Sequence, residues 1–136
     1  MKKPKINIVT LGCSKNKVDS ERLAASLSHC YDIMHDSDKK SDVVIINTCG
    51  FIGDAKEESI DTILEYAELR KANKIKKLYV MGCLTQRYRK ELQEEIHEVD
   101  GFFGVESVQL IASQILSNSI SQQLGNSISI YNPERL

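Results

Sequence analysis

Apolar β-rich runs alternate with amphipathic stretches along this chain. Residues 6–11 read as a strand ended by Gly12, and residues 18–28 as a helix with Leu23, Ala24 and Leu27 on one face. Residues 31–34 make a short strand. Residues 43–47 give the strongest strand signal, because four consecutive β-branched residues suit a strand buried on both faces. Asp54 then opens a helix, Asp54-x-x-Glu57 resembling a capping box with Asp in place of Ser or Thr. Its expected core stripe is Ile60, Ile63, Leu64 and Ala67, and Arg70, Lys71 and Lys74 close it where a helix C-terminus favours cations.

A second cycle follows. Residues 78–81 read as a strand stopped by Gly82, and residues 86–97 as a polar helix carrying Tyr88, Leu92 and Ile96. Residues 101–105 form a last short strand. A final helix starts at Glu106 or Ser107, with Leu110, Ile111 and Ile115 on its buried side. Strands separated by helices imply right-handed crossovers. The predicted fold is α/β, an open, mostly parallel sheet of four or five strands with helices on both faces. Residues 117–136 differ: five Ser, three Asn and two Gln make up half of them, so the stretch reads as a linker or tail. The expected division is an ordered domain over 1–117 and a linker over 118–136 toward a further domain.

Three of the four cysteines share one local grammar. Gly12-Cys13 follows the first strand, Cys49-Gly50 follows the strand at 43–47, and Gly82-Cys83 follows the strand at 78–81. In an open α/β sheet, ligands sit at the carboxyl ends of the strands, so parallel strands would project all three thiols from one edge. Each precedes a predicted helix, whose N-terminus favours the thiolate that metals bind. The neighbouring glycines let backbone pass close to a bulky ligand. Three thiolates suit a soft metal, iron–sulfur or zinc. The spacings of 36 and 34 residues lack the local C-x₂₋₄-C pair of structural zinc and fit better with a [4Fe–4S] cluster whose fourth iron is open. Cysteine is also a small hydrophobe at home at strand ends, so a purely structural role stands beside the metal reading. Cys30 lies off the pattern and reads as structural. His29, His35 and His97 read as solvated, with a fourth-ligand role open to any of them at a zinc site.

The 136 residues are 41% apolar and 27% charged, which suits one globular domain with a core. Eighteen Lys and Arg against nineteen Asp and Glu leave a net charge of −1, and so no global attraction to nucleic acid or anionic lipid. The longest apolar runs, 43–46 and 78–84, fall far short of the ~20 residues that span a bilayer. The N-terminus does not read as a signal peptide. A cytoplasmic protein is expected, where thiols stay reduced.

The segments Thr10-Leu11-Gly12-Cys13-Ser14-Lys15-Asn16-Lys17-Val18-Asp19-Ser20-Glu21, Asn47-Thr48-Cys49-Gly50-Phe51-Ile52 and Met81-Gly82-Cys83-Leu84 resemble the N-terminal domain of the radical-SAM methylthiotransferases. The match is closest to the branch that modifies an aspartate of a small-subunit ribosomal protein, the RimO type, and spans residues 6–116. The resemblance implies a flavodoxin-like domain whose Cys13, Cys49 and Cys83 hold one [4Fe–4S] cluster. It also implies a separate radical-SAM domain, with a second [4Fe–4S] cluster and S-adenosylmethionine on a C-x₃-C-x₂-C motif, and a small C-terminal domain. The implied parent enzyme places a cluster-bound sulfur on the β-carbon of the aspartate and a methyl group on that sulfur, with the ribosomal protein or the ribosome as substrate. No C-x₃-C-x₂-C motif occurs in these 136 residues, so the chain alone is expected to be inactive.

Around these motifs, Asn16 and Asn47 are candidates to cap a loop or bond a cluster sulfide. Asp19 and Glu21 are candidate helix caps or substrate contacts. Lys15, Lys17, Arg87, Arg89 and Lys90 form a candidate basic rim for ribosomal RNA or an acidic loop. Two alternatives remain. A tRNA adenosine methylthiotransferase would share the architecture, though its first motif resembles Gly-Cys-Gln-Met-Asn. A metal-free flavodoxin-like module would predict a phosphate-cradling loop, and no G-x-G-x-x-G or Walker pattern is present.

Overall fold

A computed structural model describes residues 3–11, 14–37, 39–48, 53–104 and 108–124. The elements run β1 (Lys5–Thr10), α1 (Ser14–Leu27), β2 (Asp32–His35), β3 (Val43–Thr48), α2 (Gly53–Lys71), β4 (Lys77–Gly82), α3 (Cys83–Glu95), β5 (Gly101–Phe102) and α4 (Val108–Leu124). The five strands form one sheet in the order β2-β1-β3-β4-β5, and every neighbouring pair is parallel. This is the flavodoxin-like strand order.

β3 lies at the centre and all six of its residues are buried, as its unbroken β-branched run requires. Alternation along the strands divides the core into two layers. On one face Ile6, Ile8, Val43, Ile45, Tyr79 and Met81 meet Leu23 and Leu27 of α1 and Ile111 and Ile115 of α4. On the other Val9, Val44, Ile46, Leu78 and Val80 meet Ile63 and Ala67 of α2 and Leu84 and Leu92 of α3. The passage from β2 to β3 has no helix among the described residues. Instead Asn7, 1% exposed, holds that passage down: its side-chain amide donates to Ser37 O at 2.7 Å, and its Oδ1 accepts from Ser37 N at 3.0 Å.

Several expected boundaries and faces move. α1 begins at Ser14, ahead of Val18, and Val18 itself is exposed. α2 begins at Gly53, so Asp54 falls inside the first turn rather than at its cap. α3 begins at Cys83 rather than Gln86, directly at the end of β4, and β5 is only two residues long. The expected helix start at Glu106 or Ser107 lies outside the described residues, as does Val105. α4 continues to Leu124, past the point where the composition turns polar.

Two leucines leave the core. Leu64 is 47% exposed because Ser59, Ile63 and Ala67 set the buried face of α2, and at 3.6 residues per turn position 64 lies beyond its edge. Leu110 is 51% exposed because Ile111, Ala112 and Ile115 define the buried face of α4. Among the described residues no helix is long and apolar enough to cross a membrane.

Candidate functional site

The strand order reverses between β1 and β3, and in such sheets ligands bind outside the carboxyl ends of the strands at that point. The sheet register lines up Thr10, Asn47 and Met81 across β1, β3 and β4, with Thr48 opposite Gly82 in the next row. These are the residues that lead into the three cysteine-bearing segments. Cys13 and Cys49 lie outside the described residues, as do Gly12, Gly50, Phe51 and Ile52. Cys83 is described. It is the first residue of α3, half-buried, and lines a groove of about 640 Å³ between α1 and α4.

Gly82 explains how β4 turns directly into α3. Its φ of +104° is a conformation that side chains resist, and a Cβ there would stand 2.5 Å from Thr48 O and 2.9 Å from Asn47 Oδ1. The backbone of β4 therefore lies against the end of β3 with no room for a side chain. No side chain caps the N-terminus of α3, which begins at Cys83.

A buried polar network fastens the strand ends together. The Asn16 side chain, 5% exposed, donates to Leu11 O at 2.6 Å and to Thr48 O at 3.0 Å. Asn47, 1% exposed, donates to Asn16 O at 2.9 Å and to Ser20 Oγ at 3.1 Å. Ser20 and Thr10 share a hydroxyl–hydroxyl bond of 2.7 Å, and Thr48 Oγ1 donates to Met81 O at 2.7 Å. Backbone bonds from Leu11 N to Asn47 O (2.9 Å) and from Gly82 N to Gly104 O (3.3 Å) complete the ties. Of the two expected roles for Asn16 and Asn47, the side-chain amides perform the loop-fastening one, and their donors are engaged by protein oxygens.

The remaining candidates separate cleanly. Asp19 lines the groove and Glu21 is exposed; α1 starts at Ser14 and has no acidic residue in its first turn, so neither can be its cap. Of the five basic rim residues only Lys15 lines the groove. Lys17, Arg87 and Lys90 are exposed elsewhere, and Arg89 is half-buried beside Gly104. Arg22, absent from the sequence reading, faces the groove from α1. Ser20 and Thr48 were also missed. Their signal was available: Asn16, Ser20, Leu23 and Leu27 share one helical stripe, so two polar residues occupy the end of α1's buried face.

Cys30 is exposed in the turn after α1 and does not line the groove. His29 and His97 are exposed in turns, and His35 is the exposed last residue of β2. Among the described residues no three His, Cys, Asp or Glu side chains converge on a metal position. What is described fits a bulky thiolate-held group: a cysteine at a helix start without a side-chain cap, and an adjoining groove.

A parallel sheet in this order, with buried polar residues and a groove at the carboxyl ends of β1, β3 and β4, defines a flavodoxin-like α/β domain. The chain belongs to uncharacterised protein family UPF0004, matched over residues 5–104, the family of the methylthiotransferase N-terminal domain. It is similar to proteins named ribosomal protein uS12 methylthiotransferase RimO. The relative from Phocaeicola vulgatus is 58% identical over 106 residues, covering 76% of this chain and 24% of its own length. That from Bacteroides fragilis is 57% identical over the same shares, and that from Natranaerobius thermophilus 45% identical over 93% of this chain and 28% of its own length. The chain thus spans about a quarter of the relatives it matches.

Proposed function

We propose that this chain is the auxiliary [4Fe–4S] domain of an enzyme that methylthiolates the β-carbon of an aspartate in ribosomal protein uS12. The observation that carries the reading is the alignment of three strand ends, adjacent in the sheet and fastened to one another, each leading into a cysteine. The family membership and the relatives' shared name support the same reaction.

Cys13, Cys49 and Cys83 would hold the cluster, and Gly82 lets the end of β4, which leads into Cys83, pack directly against the end of β3. When bound, the cluster supplies an open iron at which the transferred sulfur is carried. Lys15 and Arg22, neither with an ion-pair partner among the described residues, put positive charge on the groove wall, where it suits the substrate carboxylate. S-adenosylmethionine and a second [4Fe–4S] cluster belong to the part of the enzyme beyond this chain, which holds no C-x₃-C-x₂-C motif. The protein works in the cytoplasm, on the ribosome or on free uS12.

Anaerobic reconstitution with iron and sulfide tests the reading. About four irons per chain are expected, retained in Cys30→Ala and lost in Cys13→Ala, Cys49→Ala and Cys83→Ala. A folded wild-type chain that takes up no iron overturns it. Added S-adenosylmethionine and reductant should give no 5′-deoxyadenosine; its formation would contradict the assignment of radical chemistry to another domain.

A further inference from the structure

We propose that Asn16 is a positioning residue that sets the spacing of the three thiols before any metal is bound. The inference rests on the cluster reading above and adds a device to it. One side-chain amide joins two carbonyls in different segments: Leu11 O, two residues before Cys13, and Thr48 O, immediately before Cys49. Adjacent Cα atoms are separated by about 3.8 Å across a trans peptide, so tying these carbonyls together limits how far apart the first two cysteines can go. Thr48 then passes the constraint on, because its hydroxyl holds Met81 O, two residues before Cys83. Asn47 fixes the Asn16 backbone from below by donating to Asn16 O.

Every tie in this chain is neutral, and all three side chains are buried. Such bonds hold their geometry without help from a bound ion, and they would be costly to leave unmade. A site ordered in advance avoids the loss of loop freedom on binding that otherwise weakens affinity. The device is separable from folding in general. Asn7 is as buried as Asn47 and also makes two hydrogen bonds, but to Ser37 in the passage between β2 and β3.

The test titrates the reduced, metal-free chain anaerobically with Co²⁺ alone, following the thiolate-to-cobalt absorption band, with circular dichroism to check folding. Asn16→Ala should weaken Co²⁺ binding about 10- to 100-fold, the range seen when outer-shell supports of metal ligands are removed. Thr48→Val, a milder change, should weaken it less, and Asn7→Ala should leave it at the wild-type value while still lowering the melting temperature. Wild-type binding with Asn16→Ala and Thr48→Val unchanged overturns the positioning role alone. Absence of thiolate-bound Co²⁺ in the folded wild type overturns the cluster reading itself, and this role with it. Should Asn16→Ala fail to fold, Thr48→Val against Asn7→Ala decides the question.

Discussion

At the N-terminal end of the sheet, Asp42 and Asp100 fasten neighbouring strands with charged side chains in reach of water; at the C-terminal end, Asn16, Asn47 and Thr48 do the same with neutral groups buried from it. Asp42 Oδ2 accepts from Lys5 N at 2.9 Å, and Asp42 O accepts from Lys76 N at 2.7 Å, linking the starts of β1, β3 and β4. Asp100 accepts from Leu78 N at 2.8 Å and from the Arg70 guanidinium at 3.1 and 3.2 Å, linking β4, β5 and the end of α2. The Arg70 pKa is held above its ordinary value, chiefly by that hydrogen bond. The exception at the C-terminal end is Asp36, exposed beside the edge strand β2, which accepts from Thr10 N at 3.0 Å. Among the described residues, the side chains that tie Leu11, Thr48 and Met81 together are neutral.

The largest way to break the contrast is Gly82→Ala. Strain at positive φ and a Cβ against Thr48 O each cost about 1–3 kcal/mol, so urea unfolding should show a loss of about 3 kcal/mol or more. Asn47→Ala comes next, at about 1–3 kcal/mol, because it strips bonds from buried oxygens; that loss should be the same in low and high salt. Asp100→Ala should cost about 1 kcal/mol, with part of the difference from wild type vanishing at 1 M salt, where screening reaches within about 3 Å. An Asn47→Ala loss that shrinks with salt, or an Asp100→Ala loss that does not, would remove the distinction between the two ends. The smallest effect belongs to Leu64→Lys, within about 0.5 kcal/mol, since that side chain lies off the buried face.

The order of strands and helices was legible because each strand is a short apolar run and each helix a longer periodic one. The run of four β-branched residues in β3 read as a strand buried on both faces, and β3 is fully buried, at the centre of the sheet. Helix faces were less legible: Leu64 and Leu110 each adjoin a buried isoleucine, and periodicity alone does not say which side of that isoleucine meets the sheet. Arg22 escaped notice because a cation at the ninth position of a helix looks like any solvated one until α4 is placed opposite.

By itself the sequence determined the parallel α/β class, the three Gly-Cys or Cys-Gly steps at strand ends, and the family. Those features are local, fixed by periodicity and residue type. Only the tertiary structure decided that β1, β3 and β4 are neighbours, and that Asn16 reaches across to Thr48, 32 positions away in the chain. Hydrogen bonds between distant segments depend on strand order and register, and no local pattern encodes which buried amide will meet which carbonyl.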